Sequence, residues 1–300
     1  MKPIALILQA RGSNRDLDVA EALTLAGAEP AFAPLNDLRA GKQHFNDYQM
    51  LVVPGGFSYA DALGAGKLLG LDLNSYFAEE IFAFVAAGKP VIGICNGFQA
   101  LVKSGVLPGN NVIARSGAAE TKQSPVNRDA LVPGEIASLA KGRLVRAPAL
   151  AGGARDDMTT LTFNEQGHFE CRWVNLQPIS QKCIWTRDLD ELITCPIAHG
   201  EGNFQTNHQS LITNLTSQDQ IALTYTHSDG VPANGEYPAN PNGSILDIAG
   251  ICNPAGNVLG LMPHPENHIH SWQHPRHTRG EVGQSGLALF ENGVKYAARV

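Results

Sequence analysis

Four short, wholly apolar runs, Ile4–Leu8, Ala31–Leu35, Met50–Val53 and Val91–Ile94, lie in the first hundred residues. Segments with helical spacing separate them. Asp16–Ala26 stops at Gly27 and follows Ser13-x-x-Asp16, a helix-start signal of capping-box type. Tyr76–Ala87 carries Phe77, Ile81, Phe84 and Val85 at helical intervals and stops at Gly88. A strand that is apolar at every position must bury both of its faces. Alternation of such strands with helices predicts an α/β fold: a doubly wound, mostly parallel sheet flanked by helices. Active sites of such sheets gather beyond the carboxyl ends of the strands.

The second half reads differently. Leu161–Phe163, His168–Val174, Ile221–Thr226, Ser244–Ile251 and Val258–Met262 have strand character, broken by turns such as Asn203 and Pro241-Asn-Gly. Added antiparallel strands are expected there, then a closing helix over Gly286–Arg299. Residues 109–158 are rich in Ala, Gly, Pro, Arg and Asp and weakly periodic, apart from a short helical stretch at Gly134–Ala140. They read as an inserted segment within one domain spanning 1–300.

The third strand closes on Pro54-Gly55-Gly56. The fourth ends at Cys95, in Gly93-Ile-Cys95-Asn-Gly97, and a helical segment follows from Phe98 to Lys103. Strand, sharp turn and helix put the sulfur beside a helix N-terminus, where the dipole favours a thiolate. Gly-x-Cys-x-Gly is the nucleophile-elbow arrangement with cysteine for serine. A nucleophile of this kind needs a base and a group that orients the base. Leu261-Met-Pro-His264-Pro-Glu266 offers both, since the prolines stiffen a turn that carries an imidazole and a carboxylate two residues apart. Backbone N–H groups of Gly56 and Asn96 are candidates for an oxyanion hole. Taken alone, the cysteine has the bland reading of a buried core residue, and the histidine that of a capped turn.

Other signals are weaker. Gly64-Ala-Gly-Lys-Leu-Leu-Gly70 lacks the glycine spacing and the Ser/Thr of a phosphate loop, so a helix and turn is the better reading. His264, His268, His270, His274 and His277 are half of the ten histidines in the chain. Pro265 and Pro275 argue against a helix presenting them as metal ligands, and no metal is expected. A solvated loop, in place to touch a partner, is the alternative. Five cysteines without metal-ligand spacing fit a reduced, cytoplasmic protein. The net charge of −6 gives no support for nucleic acid or anionic membranes as partners. No apolar run approaches the about 18 residues of a membrane span, and the run at Ile4–Leu8 is short for a secretory signal.

Gly93-Ile-Cys-Asn-Gly-Phe-Gln99 together with Pro263-His-Pro-Glu266 resembles the triad-type, or class I, glutamine amidotransferases, whose fold is flavodoxin-like. Gly12-Ser-Asn-Arg-Asp16, Pro54-Gly-Gly-Phe-Ser-Tyr-Ala-Asp61, Ala198-His-Gly-Glu-Gly202, Asn240-Pro-Asn-Gly-Ser244 and Ile248-Ala-Gly-Ile-Cys-Asn253 narrow the resemblance to glutaminase subunits of phosphoribosylformylglycinamidine synthases. The resemblance covers residues 1–108 and about 159–300. It implies glutamine as substrate, Cys95 as nucleophile, His264 as proton shuttle and Glu266 as its orienting group. Gln99, Gly55 and His199 fall where family members contact substrate. No cofactor is implied on this chain. The implied partners are a synthase subunit, which uses ATP and Mg, and a small accessory subunit. Two readings from other classes stand beside this one. A cysteine α/β-hydrolase acting on esters also uses Gly-x-Cys-x-Gly, but wants its acid on a separate loop before the histidine. A catalytically silent regulatory module of the same fold would not need all three residues.

Overall fold

The computed structural model describes residues 2–109, 159–281, 283 and 285–300. The short helix expected at Gly134–Ala140 and the inserted segment itself, save its first residue, lie outside the described residues.

The first half follows the apolar runs. Ile4–Gln9 (β1), Glu29–Pro34 (β2), Met50–Val53 (β3) and Val91–Ile94 (β4) alternate with the helices Asp16–Leu25 (α1), Leu35–Arg39 (α2), Lys67–Tyr76 (α3), Ala78–Ala86 (α4) and Asn96–Ser104 (α5). Every residue of β3 and β4 is buried, as a strand covered on both faces requires. Each such Val, Leu or Ile contributes about 1.5–3 kcal/mol through burial. The second half adds Thr159–Thr162 (β5), Glu170–Pro178 (β6), Ile193–His199 (β7), Asn203–Thr206 (β8), Gln209–Ser217 (α6), Ile221–Thr226 (β9), Ile248–Cys252 (β10), Val258–Leu261 (β11) and Leu287–Ala297 (α7).

One nine-stranded sheet runs β2-β1-β3-β4-β11-β10-β9-β6-β7, and β5 and β8 form a separate pair. β2, β1, β3, β4 and β11 are mutually parallel. From β11 outward each neighbour is antiparallel. The fold is therefore the expected α/β sheet, with the antiparallel strands gathered on one flank. The ends of β3, β4, β11 and β7 share one edge of the sheet.

Several boundaries differ from the sequence reading. Ser13 caps nothing: Arg15 holds the N-cap position without a side-chain bond, and Ser13 bridges to Gly56 instead. Leu35 begins α2 rather than ending a strand. The helix expected at Tyr76–Ala87 is α4, starting two residues later, because Phe77, at φ −129°, separates it from α3, which ends on Tyr76. Asn203 is no turn; it opens β8 and pairs with Thr162. Only Ile248–Cys252 of the run from Ser244 is strand, since Leu246 and Asp247 have positive φ. β7 is not among the expected strands, because Pro196 sits in it. A proline is tolerated there because β7 is the last strand of its sheet.

Gly64–Gly70 has a packing role. A Cβ at Gly66 would lie 2.8 Å from Gln99 Cβ, and one at Gly70 would lie 2.9 Å from Lys103 Cβ. The glycines thus let α3 cross close against α5. Among the described residues, no helix is long and apolar enough to cross a membrane.

Candidate active site

β4 ends on Cys95, whose backbone stands at φ 50°, ψ −106°, a conformation that residues with a side chain rarely adopt. Its N–H donates to Leu261 O at 2.8 Å, and its carbonyl accepts the first bond of α5 from Gln99 N at 3.0 Å. The two glycines around it are needed for contact rather than only for flexibility. A Cβ at Gly97 would lie 1.9 Å from Val53 O, and one at Gly93 would lie 2.9 Å from Gly97 O. The elbow is therefore pressed against β3, with Sγ held at the N-terminus of α5.

β11 ends beside β4, which brings the proline-braced turn to the cysteine. His264 and Glu266 are almost wholly buried. Glu266 Oε1 lies 2.7 Å from His264 Nδ1, so Nδ1–H donates to the carboxylate and Nε2 is left for chemistry. The His264 main-chain N–H donates to Pro196 O at 2.8 Å, which pins the turn to β7. Burial opposes charge on His264, but attraction to Glu266 and to Cys95 outweighs it, and its pKa stands raised at about 10. Gly55 fits between these groups: a Cβ there would lie 2.8 Å from His264 Cε1 and 3.5 Å from Cys95 Cβ.

The outer edge of β7 follows the site. Carbonyls at alternate positions, Thr194, Pro196 and Ala198, face His268 Nδ1 at 2.5 Å, His264 N at 2.8 Å and Cys95 Sγ at 3.9 Å. Ser285 Oγ accepts from Thr194 N. The histidine-rich segment thereby covers an otherwise open sheet edge. His270 meets Glu21 and His274 meets Glu281, while His268 and His274 pack edge-on against Trp173. Among the described residues, no group of three His, Cys, Asp or Glu side chains is placed to hold a metal ion.

A cavity of about 170 Å³ opens over the sulfur, lined by Gly56, Phe57, Gln99, Phe169, His199 and Glu201 among others. This is below the about 300–1,000 Å³ of sites for drug-sized ligands and suits a molecule of amino-acid size. Gln99 lines the cavity, but its amide is engaged, donating to Glu201 O at 2.6 Å and accepting from Asn96 Nδ2 at 3.2 Å. His199 is buried, and burial, then the nearby His264, lowers its pKa to about 3, so it is neutral. Its Nδ1 meets Asn164 Oδ1 at 3.1 Å, while Nε2 has no protein partner. Gly55 is not among the lining residues. The sequence reading did not single out Phe57, Phe169, Glu201 or the Ala198 carbonyl. Their signal was present only in motifs whose shape depends on how the loops fold.

A description of the CobB/CobQ-like glutamine amidotransferase domain matches residues 2–125 and 137–297. The chain is 50% identical over 99% of both chains to the phosphoribosylformylglycinamidine synthase subunit PurQ of Treponema denticola. It is 36% identical to the subunit of the same name from Dehalococcoides mccartyi over 98% of each chain. Among solved structures it resembles a chain in the structure of PurLQS from Thermotoga maritima, with a TM-score of 0.65, 28% identity and 99% of each chain covered. A glutamine amidotransferase from the same organism shares the fold at a TM-score of 0.50 and 14% identity, covering 98% of this chain and 99% of that one. A cysteine elbow, a buried His–Glu pair and full-length likeness thus agree: the chain belongs to the PurQ family of glutamine amidotransferases, subunits of phosphoribosylformylglycinamidine synthase.

Proposed function

We propose that the protein is the glutaminase component of phosphoribosylformylglycinamidine synthase, acting in purine biosynthesis. It hydrolyses glutamine to glutamate and supplies ammonia to a separate ATP-dependent synthase subunit. The observation that carries this reading is the convergence of Cys95, His264 and Glu266 at one edge of the sheet, with Cys95 opening into a cavity of amino-acid size. The Cys95 thiolate attacks the side-chain amide carbon of glutamine. The tetrahedral oxyanion is met by backbone N–H groups of Gly56 and Asn96. The His264 imidazolium gives its proton to the departing nitrogen, and ammonia leaves as the glutamyl thioester forms. His264, now neutral, takes a proton from water, which attacks the thioester; the thiolate leaves, glutamate is released with its carboxyl proton lost to solvent, and the starting thiolate and imidazolium are restored. Glu266 holds the imidazole in the Nδ1–H tautomer throughout.

His199 and Gln99 serve the substrate in different ways. His199, a neutral ring held by Asn164 and packed on Gly202, supports the loop that faces the substrate, whereas Gln99 shapes the wall. Gly55 keeps the imidazole and sulfur close by lacking a side chain. The chain is one amidotransferase domain interrupted at about 109–158, and it works in the cytoplasm, which suits its free thiols. It needs no cofactor of its own; ATP and Mg serve the synthase subunit, and a small accessory subunit completes the assembly. Exposed Phe57, Phe163 and Phe169 at the cavity mouth give that partner an apolar surface to cover.

The test is glutamate release from glutamine by the purified chain, with and without the synthase subunit. Wild type is expected to turn over slowly alone and faster in the complex, and Cys95→Ala not at all. Undiminished release by Cys95→Ala sinks the nucleophile assignment, and full speed without the partner sinks the coupling. Ester hydrolysis without glutaminase activity would favour the hydrolase reading instead.

A further inference from the structure

Asn96 enters the mechanism through its backbone N–H, yet its side chain is the best-satisfied polar group around the site. It is buried. Nδ2 donates to Asp61 Oδ1 at 2.7 Å and to Gln99 Oε1 at 3.2 Å. Oδ1 accepts from Ser58 N at 3.3 Å and from the buried Ser58 hydroxyl. All four hydrogen-bonding positions of the amide are thus used. No other side chain of this length offers two donors and a double acceptor. Aspartate lacks the donors, and leucine lacks both.

The segment it holds is strained. Tyr59, Ala60 and Asp61 stand at φ 55°, 54° and 51°, three successive residues in the left-handed region without a glycine among them. Gly56, at φ 120°, begins this turn. Two backbone bonds tie it to the loop after β1, Tyr59 N donating to Arg11 O at 2.6 Å and Phe57 N to Gly12 O at 3.3 Å, and the Tyr59 hydroxyl ties it to Asp72 of α3. The Asn96 amide is what ties it to the elbow. On the other side, Gly97 already touches β3 as closely as a backbone can.

We infer that the Asn96 side chain is a positioning residue, a cross-brace that sets the Gly56 N–H against the Asn96 N–H over Cys95. The inference rests on the oxyanion reading above. A misplacement of the order of 1 Å costs about 10²-fold in rate. The chemistry should therefore suffer while binding and the intrinsic reactivity of the thiol do not.

The test compares wild type with Asn96→Leu, Ser58→Ala, Asp61→Leu and Asp61→Asn in the complex. Steady-state glutaminase kinetics are measured together with Cys95 alkylation by iodoacetamide, a reaction that needs no oxyanion hole. Asn96→Leu is expected to lose about 10- to 100-fold in kcat, with little change in KM and an unchanged alkylation rate. Asp61→Asn keeps an acceptor for Asn96 and should stay near wild type, whereas Asp61→Leu should not. Adding Ser58→Ala to Asn96→Leu should cost little more, and Ser58→Ala alone keeps the test alive if Asn96→Leu fails to fold. Unchanged kcat in Asn96→Leu, or equal losses in kcat and alkylation, overturns the brace. Glutamate release by Cys95→Ala, run in parallel, would instead overturn the mechanism beneath it.

Discussion

At the scale of the residue, His264 carries the sharpest expectation. Its folded pKa, about 10, lies above the ordinary 6.5. The folded state binds the extra proton between those two values. Its stabilising contribution is therefore whole below about pH 6.5, declines as pH rises and is gone above about 10. Glu266→Gln removes one of the attractions that support this charge. The gap in melting temperature between wild type and Glu266→Gln is expected to be wide near pH 6 and to close toward pH 10. A gap that does not vary with pH would show that the carboxylate is not what charges the imidazole. The same variant should lose on the order of 10²-fold or more in kcat, with a smaller effect on KM; an unchanged kcat would make Glu266 structural only.

At the scale of the element, the strand–elbow–helix unit depends on contact as much as on chemistry. A methyl at Gly97 would lie 1.9 Å from Val53 O, a backbone atom that cannot step aside cheaply. Gly97→Ala is expected to destabilise by about 3 kcal/mol, the upper part of the overpacking range, read by urea denaturation; a loss of a few tenths would mean the elbow is looser than described. This unit was legible in the sequence because each of its signals is local. An apolar run, a Gly-x-Cys-x-Gly turn and a helix stop lie within fifteen residues. β7 and α6 were not legible. β7 contains Pro196, and its place is set by pairing with β6 and by cover from the segment after β11. Ser13 misled for a similar reason: its cap-like spacing to Asp16 was local, but its bridge to Gly56 is tertiary. Ser58 and Asp61, which meet the Asn96 side chain, and Glu201, which lines the cavity, were hidden in the same way, since only the folded loops bring them to the site.

At the scale of the whole molecule, the sheet divides the labour. The parallel half presents three loops at one edge, and the antiparallel flank brings β7 round to pin the turn that holds His264. The histidine cluster, ambiguous as sequence, covers that flank through His268, while His270 and His274 meet Glu21 and Glu281. Phe163, 70% exposed, lines the cavity, and Leu63, 75% exposed, lies in the loop between Asp61 and Ala65, which line it too; apolar side chains grouped at a site mark a surface for a partner. Leu63→Asp is expected to weaken co-elution with the synthase subunit at least several-fold while glutamate release by the isolated chain stays as it was; intact co-elution would place the partner on another face.

The central claim is that one thiol frees the ammonia through a glutamyl thioester. The most direct measurement is inactivation by a glutamine-derived alkylating analogue, followed by mass-spectrometric mapping of the labelled residue. Label confined to Cys95, with glutamine protecting it and glutaminase activity lost in proportion, is the predicted result. Label on Cys171, the exposed thiol, or loss of activity with Cys95 unmodified, would contradict it.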